Sequence, residues 1–214
     1  YRGRILGMIP KKNIPMYAEF YEGRHFTPGE ETVTEYRLGK QVIPFGSNLL
    51  FRCEELPELI LGCELCEDLW VAEPPSTSHA LMGATVIANL SASNETVSKD
   101  DYRTLLIKAS SARLLCGYIY TSAGEGESTQ DLVFGGHNII AENGTTLVSS
   151  DRFTNEVIYT ELDVKRLLSE RRKNTTFQTE KERMLIRIPF SIHVEETELT
   201  RKFASRPFVP SVMA

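Results

Sequence analysis

Cysteine is scarce in these 214 residues, with four in all, and tryptophan occurs once. Four cysteines are too few for the disulfide framework of a small secreted domain, and the lone Cys63/Cys66 pair lacks the second pair or the histidines that a zinc site needs. A reducing, cytoplasmic setting is therefore expected. No apolar run approaches the roughly 18 residues that cross a bilayer, so no membrane partner is expected. Positive charge is short as well: 24 Lys and Arg stand against 29 Asp and Glu, a net −5, whereas a phosphate backbone calls for the opposite balance. No nucleic-acid partner is expected either. What is present is a 41% hydrophobic chain with 14 Gly and 10 Pro, ordinary for a folded domain and far from collagen-like or disordered compositions.

Strand patterns alternate with helix patterns, which points to an α/β layered fold. Strands are expected over residues 4–9, 33–36, 41–45, 48–52, 58–66, 84–88, 118–121, 137–141, 145–149, 156–162 and 184–190, with turns at Gly39-Lys40 and Asn143-Gly144. Ser76 is expected to cap a short helix over 77–82, and Asp163 one running to about 172. Between them lies the clearest helical pattern. From Asp100 onward, Leu105, Ile107, Ala109, Ala112, Leu115 and Cys116 define an apolar side with Arg103, Lys108 and Arg113 off it, and Gly117 is expected to end the helix.

A nucleophilic cysteine needs a strand end that exposes its sulfur, a nearby cation that favours thiolate, and donors for an oxyanion. Cys66 meets the first requirement, because it closes an apolar strand and opens the polar turn Cys66-Glu67-Asp68-Leu69-Trp70. Lys11 is a candidate for the second, leaving a strand end between Pro10 and Pro15, whose rings restrict the backbone that carries it. The four histidines have no metal or triad spacing, so no metal site is expected. The loop Gly124-Glu125-Gly126-Glu127-Ser128-Thr129 lacks the Gly-Lys-Ser/Thr ending of a P-loop and carries two carboxylates that repel phosphate, so it reads as the border of a pocket, with no cofactor bound there.

Taken together, the residues resemble a known family. Lys11 in Pro-Lys-x-x-Ile-Pro-x-Tyr-x-Glu-Phe-Tyr-Glu, Cys66 in Cys-Glu-Asp-Leu-Trp, Asn89-Leu90-Ser91-Ala92-Ser93, the Gly-Glu-Gly-Glu-Ser loop with Gly135-Gly136, Glu142-Asn143-Gly144 and Arg206-Pro207-Phe208-Val209-Pro210 occur in the order found in the nitrilase superfamily of carbon-nitrogen hydrolases. The Gly-Glu-Gly-Glu-Ser loop and the Pro-Phe-Val-Pro arm make the chain most similar to the glutaminase domains of glutamine-dependent NAD synthetases. The resemblance implies a four-layer αββα sandwich over residues 1–200, with its first strands preceding Tyr1, and an arm over 201–214 leading to a synthetase domain. It implies that Cys66 attacks the side-chain amide of glutamine while Lys11 and the Glu67 N–H hold the oxyanion. Glu19 is implied as a second carboxylate near the lysine, Tyr17 and Ser93 as contacts to glutamine, and Lys99 as the cation facing its carboxylate, where relatives carry Arg. The general-base Glu is implied to lie before Tyr1.

The resemblance implies no cofactor in this domain, ATP and Mg for the synthetase domain, and a homo-oligomer. A free-standing amidase or carbamoylase, or a non-catalytic scaffold of the same fold, stays open at this point.

Overall fold

The computed structural model describes residues 1–127, 131–177, 186–193 and 200–201. Its strands are β1 Thr34–Leu38, β2 Gln41–Phe45, β3 Leu49–Cys53, β4 Ile60–Leu65, β5 Val86–Ser91, β6 Gly117–Ser122, β7 Ile139–Glu142, β8 Thr145–Ser149 and β9 Ile186–Phe190, with helices α1 Pro75–Leu81, α2 Lys99–Arg113 and α3 Val164–Lys173. β1 and β2 form a separate antiparallel hairpin, and the other seven strands make one mixed sheet in the order β8-β7-β6-β5-β4-β3-β9. Its centre, β4-β5-β6, is parallel. Side chains on a strand alternate between faces, so Ile87 and Asn89 of β5 and Tyr118 and Tyr120 of β6 share one face, where all four are buried. α1 packs on β4 and β5, and α2 on β6, β7 and β8. The core there contains Ile87, Tyr118, Tyr120, Ile139, Ile107 and Leu69. Parallel strands that lead into helices place the site at their C-terminal ends, since β4 and β5 both run toward residues 66 and 91.

The hairpin turns fall where expected, at Gly39 (φ +58) and at Asn143-Gly144 (φ 46 and 84), the left-handed pair that a type I′ turn requires. Asp163 caps α3 by accepting from Arg166 N at 2.9 Å. Arg171, at the end of α3, donates to the carbonyls of Ala84 at 2.6 Å and of Leu114 and Leu115 at 2.9 and 3.1 Å, and so satisfies backbone acceptors where α1 and α2 end.

Several expectations are corrected. On α2 the buried residues are Arg103, Ile107, Ser110 and Ser111, while Leu105 is 64% exposed and Ala109 and Ala112 are exposed. The apolar stripe lost to an ion pair: Arg103, fully buried, meets Glu95 at 2.7 Å. The helix stops at Arg113, and Leu115 rather than Gly117 takes the left-handed turn (φ 46). Gly117 starts β6, where a Cβ would stand 2.8 Å from Leu162 Cδ1. Ser76 does not cap α1, which starts on Pro75 after Pro74. Residues 4–9 contribute a single bridge, Met8 to Phe45, and 156–162 form no strand. The arm at 206–210 and part of the Gly-Glu loop lie outside the described residues.

Candidate active site

At the end of β4 the chain turns into a short 3-10 helix over Cys66–Leu69. Cys66 sits at φ 47, a left-handed conformation that L residues avoid. The thiol thus leaves the strand end toward a cleft of about 520 Å³ lined by Tyr17, Glu19, Cys66, Glu67, Ser93, Lys99 and neighbouring side chains. Six of the seven site residues expected from the sequence share this one wall.

Two loops complete the cleft. The loop carrying Tyr17 and Glu19 is tied to the cysteine turn by Tyr17, whose hydroxyl donates to Glu67 Oε1 at 2.8 Å. Burial, and then the Glu67 carboxylate, hold that phenol well above its ordinary range. The loop at 93–98 is fixed by the Glu95–Arg103 pair. Between the loops Asn94 is a link: its amide nitrogen donates to Glu19 and its oxygen accepts from the Lys99 ammonium. The same ammonium lies 5.6 Å from the Phe20 ring centre and 5.4 Å from that of Trp70, a cation–π arrangement. Burial, and then Arg103, lower the Lys99 pKa.

Lys11 is not on the cleft wall. Its ammonium pairs with Glu22 at 2.5 Å, while Lys12 pairs with Glu31. The segment is nevertheless anchored at the cysteine turn two residues later, where Asn13 donates from backbone and side chain to Asp68 Oδ1 at 2.8 and 2.9 Å.

Asp68, Asn94 and Glu64 were not singled out by sequence reasoning. Glu64 carries a legible signal: a carboxylate inside an apolar strand pattern demands buried partners. It is 1% exposed.

The arrangement offers a thiol on a strained turn and, in the first helical turn, the Glu67 N–H, which has no intrahelical acceptor, the Cys66 N–H being held by Asn89 at 3.2 Å. That suits attack on a carbonyl carbon with backbone donation to the resulting oxyanion. Among the described residues, no cluster of three or more groups could hold a metal ion, and no helix is long and apolar enough to cross a membrane.

A model of the carbon-nitrogen hydrolase family matches residues 7–172. The chain is 40% identical, over 99% of its length, to the glutamine-dependent NAD(+) synthetase of Mycobacterium tuberculosis, and spans 32% of that protein, about a third. Among solved structures, a glutamine-dependent NAD(+) synthetase from Cytophaga hutchinsonii superposes with a TM-score of 0.59 at 27% identity, covering 69% of this chain and 23% of that one. A carbon-nitrogen hydrolase from Helicobacter pylori superposes with the same TM-score of 0.59 at 19% identity, covering 80% and 57% of the two chains, a likeness of fold alone. The fold is thus the nitrilase-type α/β sandwich. With its cysteine at the strand end and the family's pattern over most of its length, the chain belongs to the carbon-nitrogen hydrolases of the nitrilase superfamily.

Proposed function

We propose that the chain is the glutaminase part of a glutamine-dependent NAD synthetase, releasing ammonia from glutamine for the ATP- and Mg-dependent amidation of deamido-NAD by a synthetase domain. The observation that carries the choice of substrate is the charge pattern of the cleft. The carboxylates of Glu19 and Glu67 and the ammonium of Lys99 share the wall with the Cys66 thiol, and a free α-amino acid brings charges of both signs to meet them. An uncharged amide has no use for either. The names of the M. tuberculosis and C. hutchinsonii relatives support the same reading.

In this reading the Cys66 thiol gives its proton to a general base and attacks the side-chain amide carbon of glutamine. The tetrahedral oxyanion is held by the Glu67 N–H and by Lys11, whose ammonium must leave Glu22 to reach it. The C–N bond then breaks as the proton passes to the leaving nitrogen, releasing ammonia and leaving a glutamyl thioester. Water, deprotonated by the same base, attacks the thioester; the C–S bond breaks, glutamate leaves and the thiol is restored. The base is the Glu that the family resemblance assigns upstream of Tyr1, with Glu19 supporting the lysine. Tyr17 and Ser93 contact the substrate, and Lys99 faces its carboxylate. The working enzyme is a homo-oligomer.

The test is Cys66→Ala in the intact protein. Glutamine-dependent synthesis should vanish while synthesis from free ammonia persists. Equal loss of both would mean that the cysteine serves something other than ammonia supply.

A further inference from the structure

From the cysteine turn runs a line of hydrogen-bonded polar groups, three of them fully buried. Cys66 N donates to Asn89 Oδ1 at 3.2 Å, and Ser91 Oγ donates to the same oxygen at 2.7 Å. Asn89 Nδ2 donates to the Tyr118 hydroxyl at 3.4 Å, and that hydroxyl donates to Glu64 Oε1. Glu64 Oε2 accepts from the backbone N of Ser76, in the first turn of α1, at 2.8 Å. Asn89 and Tyr118 are 0% exposed and Glu64 1%. None of the three lines the cleft.

The protons in this line have one arrangement. Both ends are backbone amides, which can only donate. Asn89 must therefore turn its oxygen to Cys66 and its nitrogen to Tyr118. The Tyr118 hydroxyl, already accepting from Asn89, points its own proton at Glu64. Both Glu64 oxygens then face donors, which favours the carboxylate over the protonated acid. Burial pushes the Glu64 pKa up, and the two donors work against that rise.

We infer that Glu64, Tyr118 and Asn89 are positioning residues for the nucleophile, acting through the Cys66 backbone amide. Asn89 holds Cys66 in its left-handed turn, and Tyr118 and Glu64 hold Asn89 the right way round. Because the Cys66 N–H is taken, the oxyanion is left to the Glu67 N–H, the next amide of the turn. The inference rests on the glutaminase reading for its kinetic arm, while its chemical arm needs only the thiol.

The variants are Glu64→Gln, Tyr118→Phe and the two combined, in the intact protein. Gln keeps the volume of Glu but swaps one acceptor for a donor, so either an amide loses its acceptor or the line reverses and presents the Asn89 nitrogen to the Cys66 N–H. Phe keeps the ring and cuts the line. Two rates are measured: alkylation of Cys66 by iodoacetamide, located by peptide mass, and glutamine hydrolysis with kcat and KM separated. Burial raises Cys63 to about 11 and Cys116 to about 12, so near pH 8 neither competes for the reagent.

Each single variant should lower kcat and slow alkylation on the order of 10–100-fold, the scale of a misplaced reacting group, with KM nearly unchanged. The double variant should be no worse than the poorer single one, since a line cut once is cut. Parental kcat and alkylation in Tyr118→Phe, losses that multiply in the double variant, or a loss confined to KM would each overturn the proposal. So would an unreactive Cys66 in the parent. If Glu64→Gln does not fold by circular dichroism, Tyr118→Phe alone decides. If the parent alkylates at Cys66 yet releases no glutamate, the glutaminase reading fails and the alkylation rates still judge the line.

Discussion

The Asp68 carboxylate takes both amides of Asn13 on one oxygen, at 2.8 and 2.9 Å, and the backbone N–H of Leu65 on the other, at 3.0 Å. A single residue, 1% exposed, thus fastens the lysine segment to the cysteine turn and closes the turn on itself. Leaving such donors buried and unmet costs about 1–3 kcal/mol each. Asp68→Ala should therefore lower the unfolding free energy by at least that much in chemical denaturation, and glutamine hydrolysis should fall with it. A variant with parental stability and rate would show that the two segments hold their places without the clamp.

Lys11 and Lys12 differ in how they are held, though both are paired with a Glu. The Lys11 side chain is 16% exposed and that of Lys12 34%. Loss of a cation that stabilises an oxyanion costs on the order of 10²-fold or more in rate. Lys11→Met should show that loss in kcat, and Lys12→Met should stay within about twofold, as expected for an exposed ion pair. Equal rates for Lys11→Met and the parent would remove Lys11 from the mechanism.

Much of this site was legible in sequence because its signals are local. A strand ending abruptly at Cys66 and a turn at Asn143-Gly144 are written within a few residues, and the structure has both. What sequence could not give was partnership across the chain. Arg103 looked like the solvent side of a helix, and it is buried because Glu95 and His137 wait for its guanidinium. Asn94 links Glu19 to Lys99 across 75 residues of separation on one side and 5 on the other, and no periodicity announces such a contact. Residues 156–162 alternate like a strand yet pair with nothing as one, because alternation states a preference and a neighbour must supply the ladder.

Lys99 should govern substrate binding more than chemistry. Replacing it by Met removes the charge proposed to meet the α-carboxylate, and KM for glutamine should rise by about tenfold or more, with kcat much less affected, the signature of binding shared by ground and transition states. Its pKa is lowered by burial, and then by Arg103, so the ammonium is lost at a lower pH than that of a free lysine. KM of the parent should accordingly climb on the alkaline side, below pH 10.5, and the Met variant should lack that climb. A variant whose KM is unchanged would assign the carboxylate to another group.

Acid should weaken the fold above the ordinary carboxylate range, and His79 gives the reason. The ring is 0% exposed, its Nε2 lies 2.9 Å from the Ser47 carbonyl, and so it carries the proton that donates there. Nδ1 is buried with no hydrogen-bond partner among the described residues, and a Cβ on Gly62 would stand 3.0 Å from it. A second proton would create a buried cation with an unmet N–H, and burial accordingly lowers the pKa from 6.5. Below 6.5 the unfolded chain takes up a proton that the folded chain refuses, so stability present above that pH is lost as pH falls toward the lowered value. The slope is about 1.4 kcal/mol per pH unit for one such group. His137 adds to it, since burial and then Arg103 lower its pKa too. Denaturation of the intact protein from about pH 7 to 5.5, a window above ordinary carboxylate values, should show this loss. His79→Gln, which keeps a donor for Ser47 and cannot titrate, should flatten part of it. An unchanged slope in that variant would mean that the buried ring is protonated without penalty, against the packing around Nδ1.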